Sequence, residues 1–329
     1  MKRASQFLQD YGVLVAFLLL VAINLATRGA NFLQPENLRN LISQNATIGI
    51  IAVGMTFVII TAGIDLSVGS MVGLCGAVTI LVLNKYSSGS PNTAILLAGL
   101  ASIGVGTFFG LFNGVVIAYG RVAPFVVTLA GMAGFRSLAE VLGGGGEIRS
   151  TVTAFQDFGF GGIPLPGLHQ STGGPVVLYW SAVVLIVSAL FAGFLLNRTR
   201  FGRYVVAVGA NERAAKYSAI NTQTIKVATY TLLGTLTGLS AFLLAARMNS
   251  IGTGSAGNNY ELDAIAAVVI GGTSLRGGKG KIWGTVVGVL LLTIITNMMT
   301  AYRIDTNWQS LVKGAVILLA ALLQRGSKE

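Results

Sequence analysis

GPVVLYWSAVVLIVSALFAGFLLNRTRFGRYVVAVGANERAAKYSAINTQTIKVATYTLLGTLTGLSAFLLAA, residues 174–246, holds the pattern that decides the fold. Residues 174–197 contain no charged side chain, and residues 225–246 contain only Lys226. Each stretch supplies the ~20 largely apolar residues that a helix needs to cross a bilayer. Between them lies a charged island with Arg198, Arg200, Arg203, Glu212, Arg213 and Lys216. Span, charged connection and span is the grammar of an α-helical membrane protein, because a helix alone satisfies its own backbone in lipid.

Working outward, further candidate spans precede this region at 11–27, 46–62, 70–86, 94–119 and 123–145, and others follow at 259–273, 281–301 and 309–324. The expectation is an all-α integral membrane chain of about ten transmembrane helices, with 1–329 forming one transmembrane domain. Segments 70–86 and 259–273 are short or glycine-rich and read as broken helices covered by their neighbours. Only 10% of residues are charged, against about 25% in soluble domains. Lys2 and Arg3 precede the apolar run Tyr11–Ala26 without a convincing small-x-small cleavage site, so this run reads as an uncleaved first span.

With the N-terminus inside, Arg28, Arg39, Lys85, Arg149, Arg247 and Arg303 lie outside and Arg136 and Lys313 within spans. The other fourteen of the 22 Lys and Arg, Lys328 among them, are cytoplasmic. That excess orients both termini to the cytoplasm. It also accounts for the net charge of +11 without nucleic acid, since the basic residues cluster between spans.

Of 44 glycines, Gly106, Gly110 and Gly114 recur at four-residue spacing, which lets helix backbones approach closely. Cys75, the single cysteine, reads as a small core residue and cannot form an internal disulfide or a multi-cysteine metal site, and no metal or triad spacing accompanies it or the single histidine, His169. Trp180, Trp283 and Trp308 suit interfacial anchoring. Arg136 stands four residues before Glu140 and is expected to pair with it on one helix face; Lys313 has no obvious local partner. Residues 147–174, with Pro164, Pro166 and His169, form the longest polar stretch assigned outside, a cap or a docking surface.

In the charged island 197–226, Asn211 can cap a short helix whose first turn carries Glu212. The bland reading is a solvated loop that sets orientation; the sharper one is a helix that docks on a cytoplasmic partner. The wording TRFGRYVVAVGANERAAKYSAIN (199–221) resembles the cytoplasmic loop of the ribose-type (simple sugar) permeases of ABC importers. ITAGIDLSVGS (60–70) and YELDAIAAVVIGGTSLRGGKG (260–280) resemble two further signatures of that family, in family order.

The resemblance implies a vitamin-B12-permease-like architecture and a homodimer with the solute path at its axis. It implies import of a monosaccharide (pentose, hexose or deoxy sugar) across the bacterial cytoplasmic (inner) membrane. The expected partners are ABC ATPase subunits and an extracytoplasmic sugar-binding protein. It places the coupling helix at Asn211–Ile220, so Arg203, Asn211, Glu212, Arg213 and Lys216 are candidates for coupling. No cofactor is expected in this chain and it is not expected to be an enzyme; ATP and Mg belong to the partner. Gly277–Lys281 lacks the spacing and the Ser or Thr of a phosphate loop.

Asp65 lies near a membrane boundary between Gly63 and Gly69, where an ionised carboxylate needs a partner or water. Asp65, Ser67 and Ser70 therefore either cap a helix break or offer hydrogen bonds to a solute. Glu261 and Asp263 open the eighth span from the outside and either cap it or face the binding protein or the translocation path. An ion-coupled secondary transporter of a small polar solute is the competing class; it calls for carboxylates deep in spans, a demand that Glu140 comes nearest to meeting.

Overall fold

The computed structural model describes residues 2–170 and 173–325. Lys328, assigned above to the cytoplasmic side, lies outside the described residues. Fourteen helices are present among them: α1 (Lys2–Arg28), α2 (Ala30–Leu33), α3 (Pro35–Ile60), α4 (Val68–Lys85), α5 (Pro91–Ala118), α6 (Pro124–Leu142), α7 (Thr153–Phe160), α8 (Trp180–Arg198), α9 (Arg200–Ala210), α10 (Glu212–Tyr217), α11 (Thr222–Met248), α12 (Tyr260–Ile270), α13 (Ile282–Ala301) and α14 (Thr306–Arg325). Every one of the ten expected spans falls on a helix. Seven of these, α3, α4, α5, α6, α8, α11 and α13, are long and apolar enough to cross a membrane. Helix α12 has 11 residues and reaches only part of the way, in line with the short segment expected at 259–273. The segment 70–86, expected to be broken as well, is instead the unbroken helix α4, its glycines packed against neighbours rather than interrupting it.

Burial sorts the helices. In the most apolar windows of α3 and α4, 78% and 72% of residues are buried, against 28% in α5 and 22% in α6. Helices α3, α4 and α11 are therefore central, whereas α5, α6 and α8 turn Phe108, Phe125, Leu129, Leu190 and Phe194 outward, as a lipid-facing belt requires. Helices α5 and α11 form the most extensive contact. Gly106, Gly110 and Gly114 sit directly at it: a Cβ on Gly106 would run into the Gly234 carbonyl, and one on Gly114 would lie 2.9 Å from Val227 Cα. The spacing read from sequence is thus a helix crossing, tied further by Ser102 Oγ donating to the Gly238 carbonyl at 2.8 Å.

Two short antiparallel pairs stand beside the helices. β1 (Glu147–Arg149) pairs with β4 (Ser250–Gly252), with Ile148 opposite Ile251, and β2 (Gly162–His169) pairs with β3 (Pro175–Tyr179). The sixth span consequently starts at Trp180, six residues later than residue 174: Pro175 and the β-branched Val176 and Val177 favour an extended edge. Phe155 of α7 is fully buried, and Phe155 and Phe158 each place their ring centroid 5.6 Å from that of Phe242 on α11. Helix α7 thus packs on α11, whereas β2 beside it is largely exposed.

Trp180, Trp283 and Trp308 all lie in the first turn of a helix and are exposed. Cys75 is fully buried on α4, the small core residue expected.

Candidate functional site

Two of the three quoted signatures meet inside the helix bundle. The first breaks the helical path: α3 stops at Ile60, residues 61–67 are non-helical with Ala62 at φ 59°, and α4 begins at Val68. Asp65 Oδ1 accepts from Ser67 N at 2.8 Å and from Ser67 Oγ at 2.6 Å, closing the turn that starts α4. Asn113 Nδ2 on α5 donates to Ser67 Oγ at 3.0 Å, and Tyr230 on α11 donates its hydroxyl to the Ile64 carbonyl at 3.2 Å. The break is held by side chains of two other helices.

The second signature begins at α12, reached through a chain of turns at 253–259 in which Gly257 (φ +73°) and Asn259 (φ +65°) adopt left-handed conformations. Here α4 and α12 touch through their N-terminal turns. A Cβ on Gly69 would strike both the Gly257 carbonyl and the Glu261 carboxylate, so only glycine permits the contact. Two helix N-terminal turns thus meet with the Glu261 carboxylate at their contact, where negative charge suits the positive end of a helix dipole.

Of the five predicted path residues, Asp65, Ser67, Ser70 and Glu261 are buried around this junction. Asp263 turns away, because residues two apart on a helix face nearly opposite sides. It accepts from Lys313 Nζ of α14 at 3.0 Å. Lys313 therefore has a partner after all, one that lies 50 residues away in the chain. The expected Arg136–Glu140 ion pair is not closed among the described residues, although Glu140 lies near enough to act on the guanidinium charge. Arg136 reaches across α4 and donates to the carbonyls of Thr253 (2.9 Å) and Ala256 (2.8 Å) and to Asn258 Oδ1 (2.9 Å). The turns at 253–259 leave carbonyls without helical partners, and a guanidinium satisfies several at once.

The third signature builds a wedge on the end of the bundle reached by Ile60. Asn211 caps α10 by accepting from Ala214 N at 3.0 Å. Glu212 turns inward, bridging Lys216 at 3.3 Å and Lys226 of α11 at 2.8 Å. Partial burial opposes its ionisation, but the two ammonium groups prevail and hold the carboxyl below its ordinary value. Of the coupling candidates, Asn211, Glu212 and Lys216 thus shape the loop, while Arg203 and Arg213 are exposed. Tyr217, which sequence reasoning missed, is 92% exposed at the end of α10; a large aromatic at the end of a charged loop was the available signal.

The wedge touches the helix break directly. Gly278 N donates to the Ile60 carbonyl at 2.8 Å, and a Cβ on Gly209 would collide with that same carbonyl. Glycines at 209, 277 and 278 let α9, the 271–281 loop and the end of α3 meet backbone to backbone, with Gly277 and Gly278 at φ +84° and +75°. A continuous set of contacts thus runs from an exposed six-residue helix to the loop that holds the buried Asp65–Ser67 turn.

Residues 37–321 match the family described as "Branched-chain amino acid transport system / permease component". The chain is 39% identical to the ribose import permease protein of Escherichia coli K12, covering 96% of this chain and 94% of that one. It is 41% identical to the ribose import permease protein of Bacillus subtilis 168 (97% and 93% covered) and 35% identical to the xylose transport system permease protein of Haemophilus influenzae (100% and 99% covered). No solved structure matches. The chain belongs to this permease family, among its sugar ABC permeases, and is a multi-pass membrane protein.

Proposed function

We propose that the chain is the translocating subunit of a binding-protein-dependent ABC importer of a monosaccharide, working as a pair of copies in the bacterial cytoplasmic membrane, with both termini in the cytoplasm. ATP and Mg are bound by a partner ATPase, and a sugar-binding protein delivers the solute from outside. The observation that carries this reading is the contact of the α9–α10 wedge with Ile60, the residue at which α3 breaks. A partner that closes beneath the chain and pushes on α10 moves Gly209 and Ala210 against that carbonyl. It thereby moves the Asp65–Ser67 turn, where α4 meets α12. Tyr217 is the anchor, since Tyr and Arg dominate binding energy at interfaces, and Arg213 beside it supplies charge.

Two buried helix starts meeting inside the bundle suit alternating access, because unwound backbone is tolerated there only where it is covered by protein or lines a cavity. The relatives' names, ribose and xylose, support a small neutral sugar as substrate. The test is purification with the candidate ATPase. ATP hydrolysis should rise when the loaded binding protein is added. Tyr217→Ser with Arg213→Glu should weaken ATPase binding or abolish the stimulation, while leaving the chain's own thermal stability unchanged. Full stimulation in the double variant removes α10 as the coupling element.

A further inference from the structure

The turns at 253–259 run along α6 into the bundle. At the end of α6 a Cβ on Gly143 would strike the Thr253 side chain, whereas Gly257 meets Gly69 beside the Ser67 turn, and a Cβ on Gly131 would lie 3.2 Å from Ser67 Cβ. From Gly131 to Leu142, the last residue of α6, is about 16 Å of helix, and from Arg136 about 9 Å. Asn258, whose Oδ1 accepts from Arg136 at 2.9 Å, therefore lies well inside a hydrocarbon layer about 30 Å thick. Yet Gly254, Ser255, Asn258 and Asn259 are exposed, and so is Glu140 on α6. The Asn258 Nδ2 and the Glu140 carboxylate close no hydrogen bond or ion pair with a described residue.

Exposed non-helical backbone at that depth cannot face lipid; it lines water. Glu140 is close enough to the end of α6 to reach the headgroups, but the short side chains of Asn258 and Asn259 are not. Arg136 and Glu140 bring opposite charges to the same face, which favours neither a bare cation nor a bare anion. An amide donor and a carboxylate acceptor, both free, match the hydroxyls of a neutral solute. We infer that the face formed by α6 and the turns at 254–259 is the wall of the water-filled solute route. Glu140 accepts from a solute hydroxyl at its mouth, and Asn258 Nδ2 donates to one deeper in. The identity of that solute as a monosaccharide rests on the reading proposed above. Arg136 has a supporting part, since its bonds to Thr253, Ala256 and Asn258 hold the wall in place.

Two measurements on the transporter reconstituted in liposomes test this. Asn258→Asp is isosteric and keeps the acceptor that Arg136 uses, but it removes the donor. At saturating loaded binding protein it should lower sugar uptake by about tenfold, the equivalent of one hydrogen bond. ATP hydrolysis and thermal stability should stay near wild type, so that sugar moved per ATP falls; a purely structural role would lower stability instead. In a Cys75→Ala background, Ser255→Cys should react with a membrane-impermeant, water-soluble methanethiosulfonate reagent, and the transported sugar should slow that reaction several-fold. Unchanged uptake by Asn258→Asp overturns the inference. So does a residue 255 that the reagent cannot reach, which would mean that lipid or a tightly packed second copy covers the face, or one that sugar does not protect. Should the wild-type complex transport no monosaccharide, the permease reading falls and takes the solute assignment with it. Wild-type transport with unaltered Asn258→Asp uptake and an unreachable residue 255 removes the route alone.

Discussion

Replacing Gly234 by alanine tests the packing that holds the central helices. The new Cβ would collide with the Gly106 carbonyl and lie 2.7 Å from Gly110 Cα. Carbon atoms prefer about 3.5–4.0 Å, so α5 and α11 must part by about 1 Å, and a gap of that size forfeits up to half of each dispersion contact. The parting also stretches the Ser102–Gly238 bond of 2.8 Å and the Thr107–Thr235 bond of 2.9 Å, each worth about 0.6–1.7 kcal/mol between membrane helices. Together the loss is about 2–4 kcal/mol, at the upper end for overpacking. Gly193→Ala on α8 is the control: its Cβ meets nothing within 4 Å, and a helix gains up to about 1 kcal/mol from the exchange. In detergent, thermal unfolding followed by size-exclusion fluorescence should show Gly234→Ala several degrees below wild type and Gly193→Ala equal to or above it. Equal stability of Gly234→Ala and wild type refutes the close crossing.

Arg136→Leu should leave the carbonyls of Thr253 and Ala256 unmatched and cost about 2–5 kcal/mol, measured as thermal stability together with protease cleavage near 253–258. Arg136→Lys should recover only part of it, since one ammonium cannot span the three acceptors. For the Asp263–Lys313 pair, with side chains 14% and 25% exposed, Asp263→Asn or Lys313→Met alone should each destabilise by about 1–3 kcal/mol, less than a fully buried pair, and the double variant should recover most of that loss; additive losses in the cycle would show that the two do not interact. Because the Glu212 carboxyl is held below its ordinary value by Lys226 and Lys216, its contribution is present above the unfolded glutamate pKa of ~4.3 and is lost as pH falls through the lower folded value. Protease resistance of the 197–226 loop should therefore fall on acidification below pH ~4 in wild type and be low and unchanged with pH in Glu212→Gln, an effect of about 0.3–0.5 kcal/mol for so exposed a pair.

Hydropathy alone located the seven helices that are long and apolar enough to cross a membrane, because a charge-free run of this length has few soluble uses, and Gly106, Gly110 and Gly114 announced a crossing through their spacing. Strands β1, β2 and β3 were illegible for the opposite reason: at three to eight residues, and broken by Gly and Pro, they give no sustained period. Arg136 shows the limit of local rules. The i, i+4 spacing offers Glu140, whereas the structure supplies carbonyls more than a hundred residues away, whose need for a donor arises only from the turns at 253–259. Lys313 and Asp263 repeat that lesson. The opposite facing of Glu261 and Asp263 was readable from their two-residue separation. Asn113, a lone amide in the run Gly110–Val116, was also visible, as a polar group inside a span that demands a reason.

The most direct test is uptake of radiolabelled monosaccharides into proteoliposomes that hold this chain and its candidate ATPase, with the binding protein added on the opposite face. The account predicts accumulation that requires all three proteins and ATP on the ATPase side. Uptake by this chain alone, driven by a proton or sodium gradient and abolished by Glu140→Gln, would contradict it and establish an ion-coupled carrier instead.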